Sequence, residues 1–240
     1  MSAEILETAK IVAISDLHGH LPDIEPTDFL LIAGDICPHF GRPVGGREDV
    51  FGQSQWLNGP FRDWLDKVPA KEVIAVFGNH DWIGEKRPDM VPSSLRWHLL
   101  YDKSITLDGW KFYGSPYQLN FYDWAFNAPS GPEGEVFLNK KFSEIEEDTD
   151  IIIVHGPPAG FGDTTIDGSR TGSTALLNAI HRVKPALSVS GHIHFGRGKW
   201  NVARENMSDG IIANVSIVNE EYKMVHEPMM FELQHPKQKI

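Results

Sequence analysis

The hydrophobic positions of this chain fall into short unbroken runs, and five of them end alike. KIVAIS, DFLLIAG, EVIAVFG, DIIIVHG and ALSVSG lead into small polar clusters. The clusters are Asp16-Leu17-His18, Gly34-Asp35, Gly78-Asn79-His80-Asp81, His155-Gly156 and Gly191-His192-Ile193-His194. Continuous apolar runs of this length suit strands covered on both faces of a sheet. They predict strands over 11–15, 28–33, 72–77, 150–154 and 186–190. Trp56, Leu57, Phe61, Trp64, Leu65 and Val68 keep an amphipathic helical spacing and predict a helix over 54–67. Gly59-Pro60 either interrupts that helix or starts a second one. Helices over 134–147 and 171–183 each precede a strand.

Strands over 97–101 and 104–114 bring in Asp108-Gly109, a tight-hairpin dipeptide. Residues 36–52 read as a long loop rich in Gly, Pro and charge, and 114–127 as an irregular aromatic segment. Residues 210–233 read as two or three antiparallel strands, and 1–9 and 235–240 as peripheral tails. No repeat, low-complexity stretch or linker divides the 240 residues, so one domain over 1–240 is expected. Strands alternating with helices, together with hairpins, predict a layered α/β fold that is not purely parallel; two facing mixed β-sheets flanked by helices satisfy the pattern, which periodicity alone does not single out.

Composition narrows the partners more than the fold. The chain is 41% hydrophobic and 23% charged, with a formal net charge of -11. That balance argues against a general nucleic-acid partner, which needs a basic phosphate-facing surface. A small anionic substrate stays compatible if bound cations neutralise the site. A single cysteine, Cys37, excludes an intrachain disulfide. The N-terminus has no basic segment followed by a long apolar one, and no stretch approaches the roughly 20 apolar residues of a membrane span. A cytoplasmic protein with no membrane partner is therefore the expectation.

Each polar cluster has a bland reading when taken alone. Asp16, Asp35 and His155 would serve as caps, and Asn79-His80 as a turn. Five capped strands with the same ligand chemistry make one shared site the better reading, because α/β sheets bind beyond the carboxyl ends of their strands. Asp, Asn and His donors fit Mn, Fe or Zn better than a soft thiolate site does. They also suit two-metal hydrolysis, with ions about 3.5–4 Å apart.

In order and content, DLH, GD, GNHD, HGPP and GHIH resemble the calcineurin-like metallophosphoesterase superfamily, over approximately residues 11–218. YGSPYQLNFYDWAFN and HGPPAGFGD are similar to its metallophosphoesterase-domain-containing, brain-protein-like branch. The resemblance implies a four-layer αββα sandwich and two divalent metal ions, Mn ahead of Fe or Zn. It implies that Asp16, His18, Asp35 and His194 hold the first ion, and Asp35, Asn79, His155 and His192 the second. It also implies that His80 faces the substrate phosphoryl group as a catalytic residue, with Asp81 either its orienting neighbour or a structural turn residue. The implied reaction is hydrolysis of small or nucleotide-like phosphodiesters, cyclic nucleotides among them. A phosphomonoesterase or protein phosphatase, and a non-catalytic metal-binding scaffold, are the alternatives.

Around this set, His20, Arg170 and Arg197 are secondary candidates for substrate contact, each with a structural alternative. Tyr117, Phe121, Tyr122, Trp124 and Phe126 either line a pocket or pack in the core. Cys37 reads as a small buried residue rather than a nucleophile.

Overall fold

Alternation along the buried strands decides the layers. A computed structural model describes residues 7–38, 49–203 and 209–235. In it β1 (Thr8–Ile14), β2 (Thr27–Ala33) and β3 (Ala70–Val76) run parallel and adjacent. Val12, Ile14, Leu30, Ile32, Val73 and Ala75 join one apolar cluster, and their neighbours Ile11, Ala13, Phe29, Leu31, Ile74 and Val76 join another. A period of two thus supplies two buried faces, so the sequence reads as unbroken apolar runs.

The first sheet has the order β11-β1-β2-β3-β4, with β4 (His98–Leu99) at one edge and β11 (Met229–Gln234) antiparallel at the other. The second has the order β5-β6-β7-β8-β10-β9. Its parallel centre is β6 (Trp110–Ser115), β7 (Ile151–Val154), β8 (Leu187–Ser190) and β10 (Gly210–Asn214). Its antiparallel edges are β5 (Lys103–Leu107) and β9 (Gly198–Val202). The inner faces of both sheets share one core that includes Phe29, Leu31, Phe112, Ile153, Leu187 and Val189. Helices cover the outer faces. Leu57, Phe61 and Leu65 pack on the first sheet; α4 (Pro132–Phe142) and α5 (Thr174–Val183) pack on the second. This is the expected α/β sandwich of two mixed sheets flanked by helices.

Local chemistry accounts for most boundaries. In the β5–β6 hairpin, Asp108 and Gly109 both have positive φ, 47° and 84°, as a two-residue type I′ turn requires. Ser173 caps α5 by accepting from the Leu176 N–H at 3.2 Å. The helix expected over 54–67 starts earlier, as α1 (Val50–Trp56), because Asp49 accepts from the Gly52 N–H at 2.8 Å. It then continues through a π-helical turn, Leu57–Phe61, into α2 (Arg62–Leu65). Pro60 lies inside that wider turn, which accommodates its missing N–H, so Gly59-Pro60 neither breaks the helix nor starts another.

Other expectations need correction. The strands of 210–233 do not pair with one another. β10 joins the second sheet parallel to β8, whereas β11 crosses to β1 in the first. β9 was not anticipated at all. Thr8 and Ala9 belong to β1, with Ala9 fully buried, so the first nine residues are not all a tail. His235 is buried and hydrogen-bonds through its ring to the Gly109 carbonyl, 3.1 Å away. Residues 1–6, 236–240 and, from the expected loop, 39–48 lie outside the described residues. Among the described residues, no helix is long and apolar enough to cross a membrane.

Candidate metal centre

All five polar clusters lie just beyond the carboxyl ends of parallel strands: β1, β2 and β3 in one sheet, β7 and β8 in the other. The exits are sewn together by backbone bonds. Asp16 N–H donates to the Gly34 carbonyl, His18 N–H to the Asp35 carbonyl and Gly191 N–H to the His155 carbonyl. Between the sheets, Ser15 N–H donates to Val215 and Ile217 N–H to Ser15. The Asp16 carboxylate accepts the His192 N–H at 3.0 Å, which joins the first exit to the last.

The turns at these exits are tight. Asp16, His18, Asp35 and His192 have φ of 56°, 43°, 52° and 67°, a left-handed backbone that is uncommon for residues other than glycine. Such strain persists where the surroundings enforce it, and it concentrates at functional sites. Gly78 is required for another reason: a Cβ there would run into the Asp35 carboxylate and the His155 ring.

The side chains converge in two groups. Ligand-capable atoms of Asp16, His18 and His194 lie within 4.8 Å of one another, as do those of Asp16, Asp35 and His155. His18 Nε2 is 3.6 Å from Asp35 Oδ2, and His155 Nε2 is 3.4 Å from Asp35 Oδ1. One carboxylate therefore presents a different oxygen to each group. His194 Nε2 is 3.5 Å from Asp16 Oδ1. These gaps exceed the usual 2.7–3.2 Å N–H···O range. They match two ligands that each stand about 2.0–2.2 Å from one cation. Asn79 Oδ1 lies beside the second group, 2.9 Å from His155 Nε2 and 2.7 Å from His192 Nδ1. Carboxylate, amide oxygen and imidazole are the donors of a borderline-hard divalent ion, so the residues present fit such a pair.

Carbonyl groups orient the rings from behind. His155 Nδ1 bonds the Ala33 carbonyl at 2.8 Å, and His194 Nδ1 the Asn219 carbonyl at 3.0 Å. Outer partners of this kind fix which nitrogen faces a metal. Asp81 does comparable work on the backbone. Its buried carboxylate accepts from the N–H groups of Ile36, Cys37 and Gly78, pinning the β2 exit to the β3 exit. Burial and the nearby Asp35 charge push its pKa up to about 6. Of the two roles the sequence leaves open for Asp81, orienting His80 or holding the turn, these contacts serve the turn. Its observed hold is on three amides of the surrounding turns.

His80 lies on the cleft side of the group, with Nε2 3.9 Å from Asp35 Oδ2. Its ring packs at a tilt of 39° on Trp124, with centroids 4.0 Å apart. Its N–H donates to Asp35 Oδ1 at 2.7 Å, and its carbonyl accepts from Gln53 Nε2 at 2.6 Å. Buried Gln53 also accepts from Ile83 N–H at the start of α3 (Trp82–Lys86), so one amide ties α1 to both.

The calcineurin-like phosphoesterase family profile matches residues 9–196, most of the chain and all five clusters. The chain belongs to this family. Metallophosphoesterase domain-containing protein 1 of Homo sapiens and that of Mus musculus are each 31% identical over 258 residues, covering 95% of this chain and 72% of the relative. A crystal structure from Thermus thermophilus has a TM-score of 0.54 at 12% identity, covering 86% of this chain and 88% of that one. At that identity the likeness speaks for the fold alone. Family membership and the two ligand groups together make this a metal-dependent phosphoesterase with a dinuclear divalent-metal site.

The secondary candidates divide. Arg197 donates to the Ser216 and Glu227 carbonyls at 2.6 and 2.7 Å, so it braces loops. Arg170 pairs with buried Asp163 at 3.0 Å. His20 bonds the Tyr222 carbonyl at 2.9 Å through its ring. Cys37 is fully buried, and burial beside Asp81 pushes its thiol well up. Tyr117 and Phe126 pack against each other, while Phe121 and Trp124 meet the rings of His192 and His80. Sequence reasoning missed Gln53, Asn219 and Tyr222. The Tyr222 ring stands edge-on to His18 and His194, at 4.7 and 5.4 Å.

Protonation of the candidate ligands has a measurable consequence. Burial opposes charge on His155, but the Asp35 charge and hydrogen bond outweigh it and raise its pKa to about 9. At pH 7 that ring holds a proton, and a histidine ligand must lose it. Metal loading at pH 7 is expected to release at least about one proton per chain from His155. Apparent affinity should then rise with pH until about pH 9, where the bare ring is already neutral. Calorimetric titration with Mn²⁺ in buffers of different ionisation enthalpy counts the protons. Buffer-independent heats would contradict this account.

Proposed function

We propose that this protein is a phosphodiesterase acting on small or nucleotide-like esters with a manganese pair. The observation that carries the reading is the division of roles around Asp35. Its two oxygens face His18 and His155 separately, while His80 stands beside them on the cleft side. On this reading Asp16, His18, Asp35 and His194 hold one ion; Asp35, Asn79, His155 and His192 hold the other. When bound, the ions supply activated water and offset the charge developing on the phosphoryl group.

The chain's own groups do the rest. Asp16 and Asp35 bring the negative charge that retains two cations. Asn79 adds an oxygen without a third charge, which limits how strongly the floor repels an anionic ester. His80 places Nε2 toward the phosphoryl oxygens, where it stabilises their charge or passes a proton to the departing alkoxide. The Ala33 and Asn219 carbonyls hold two of the ligand rings in register.

Protein stripped of metal and reloaded with Mn²⁺ is expected to hydrolyse bis-p-nitrophenyl phosphate faster than p-nitrophenyl phosphate. Equal efficiency on the monoester would remove the diester preference. No turnover of either ester with Mn, Fe or Zn across pH would favour a binding scaffold.

A further inference from the structure

The floor of the cleft is polar, but its rim is not. Asp35, Asn79, His80, His192 and His194 form the floor of a cavity of about 240 Å³. Phe121, Ile166, Phe195 and Tyr222 also line it, and each is well exposed, from 40% for Tyr222 to 69% for Ile166. They come from four separate chain segments, so no single helix or strand accounts for their clustering. Exposed apolar side chains gathered round a polar site mark a surface that meets an apolar ligand.

Two of these four side chains are placed differently from the others. Tyr222 stands edge-on to His18 and His194, the histidines of the first ligand group. Phe121 stands edge-on to His192 with centroids 5.7 Å apart, and His192 belongs with Asn79 and His155. One ring therefore flanks each end of the ligand set. The turn carrying Tyr222 is fixed: Asn219 Oδ1 accepts from the Glu221 and Lys223 N–H groups, and its carbonyl receives the His194 ring. Charge points the same way. Besides Asp35 in the floor, the described residues lining the cleft include a second carboxylate, Glu220, and neither Lys nor Arg. A second phosphate charge would meet repulsion there and no side-chain cation.

We infer that Phe121 and Tyr222 are the two jaws of an ester-group site, each holding a flat apolar arm of a singly charged phosphodiester. A monoester has one arm and about two charges, so it fills one jaw and faces Glu220 less favourably. This rests on the phosphodiesterase reading for its setting, and it is tested by binding, so that the two can fail separately.

Manganese-loaded protein is titrated by calorimetry with dimethyl phosphate and with diphenyl phosphate. Both carry one charge and differ only in their arms. Wild type is expected to prefer the diphenyl ester by roughly tenfold or more, in line with aromatic burial on a ring face. Phe121→Ala and Tyr222→Asn should each remove most of that preference, leave dimethyl phosphate affinity unchanged and keep the wild-type manganese content. Asn suits the left-handed φ of 58° at position 222, so the turn is preserved. Tyr222→Phe should retain the preference, since the ring is kept. Equal binding of the two esters by wild type, an unchanged preference in both ring-deleted variants, or loss of manganese from either would overturn the inference. Ring-dependent binding without hydrolysis of any diester would keep the jaws and sink the phosphodiesterase reading. Hydrolysis of bis-p-nitrophenyl phosphate with no ring dependence would do the reverse.

Discussion

Asp35→Asn is expected to leave the protein folded but unable to retain its metal pair. Asparagine keeps the shape and an acceptor oxygen for the His80 N–H, which Asp35 Oδ1 now receives at 2.7 Å. It removes the charge that faces both His18 and His155. Burial alone would push the Asp35 carboxyl up, yet the charges of His155 and His80 hold it well below the ordinary range. The site is thus arranged around a negative Asp35. Changes to outer partners of metal ligands cost about 10–100-fold in affinity. Loss of a shared carboxylate should exceed that, with at least about a 100-fold fall in manganese affinity and a comparable loss of turnover. Elemental analysis after dialysis, calorimetric Mn²⁺ titration and bis-p-nitrophenyl phosphate kinetics check this together. Wild-type manganese stoichiometry and turnover in the variant would remove Asp35 from its shared place.

The legibility of this site follows from strand physics. In strands buried on both faces the apolar run is continuous, so the first polar residue marks the exit. Asp16, Asp35, Asn79, His155 and His192 all announce themselves that way. Asn219, Tyr222 and Gln53 do not. Gln53 and Tyr222 sit in a helix and a turn with no apolar run to end, Asn219 follows Ile217-Val218 without a ligand-like cluster, and their importance arises only when distant segments meet. The left-handed backbone at Asp16, His18, Asp35 and His192 was hidden for a related reason: sequence reasoning assigns such angles to glycine. Pairing was the other blind spot. β10 and β11 read as successive antiparallel strands, but β10 lies between β8 and β9 in the second sheet, whereas β11 pairs with distant β1 in the first. Periodicity reports which faces are buried and says nothing about which strand lies alongside. Asp81 shows the same limit within a motif. Its place beside His80 leaves a hold on that ring and a turn role equally open, and only the structure shows its carboxylate collecting amides from two strand exits.

His80→Ala and Asn79→Ala, one residue apart, should fail in opposite ways. The His80 backbone is held independently of its ring, by Gln53 at the carbonyl and Asp35 at the N–H. Deleting the ring therefore leaves the β3 exit in place, along with Asp35, Asn79 and the metals they are proposed to hold. The ring itself packs on Trp124 with Nε2 toward the centre of the cleft. Its loss should cut kcat by about 10–1000-fold, the range for a proton-transfer or charge-stabilising group. Manganese should stay at two per chain. Asn79→Ala removes the oxygen on which His155 and His192 converge, from a residue that is almost fully buried. Here manganese content should fall, and activity should recover in part when the metal is raised. High manganese should restore nothing to His80→Ala, because its loss lies in the transition state rather than in occupancy. Metal content measured beside kinetics over a manganese series separates the two. Equal metal loss in both variants would place His80 among the ligands and leave the phosphoryl group without its proposed partner.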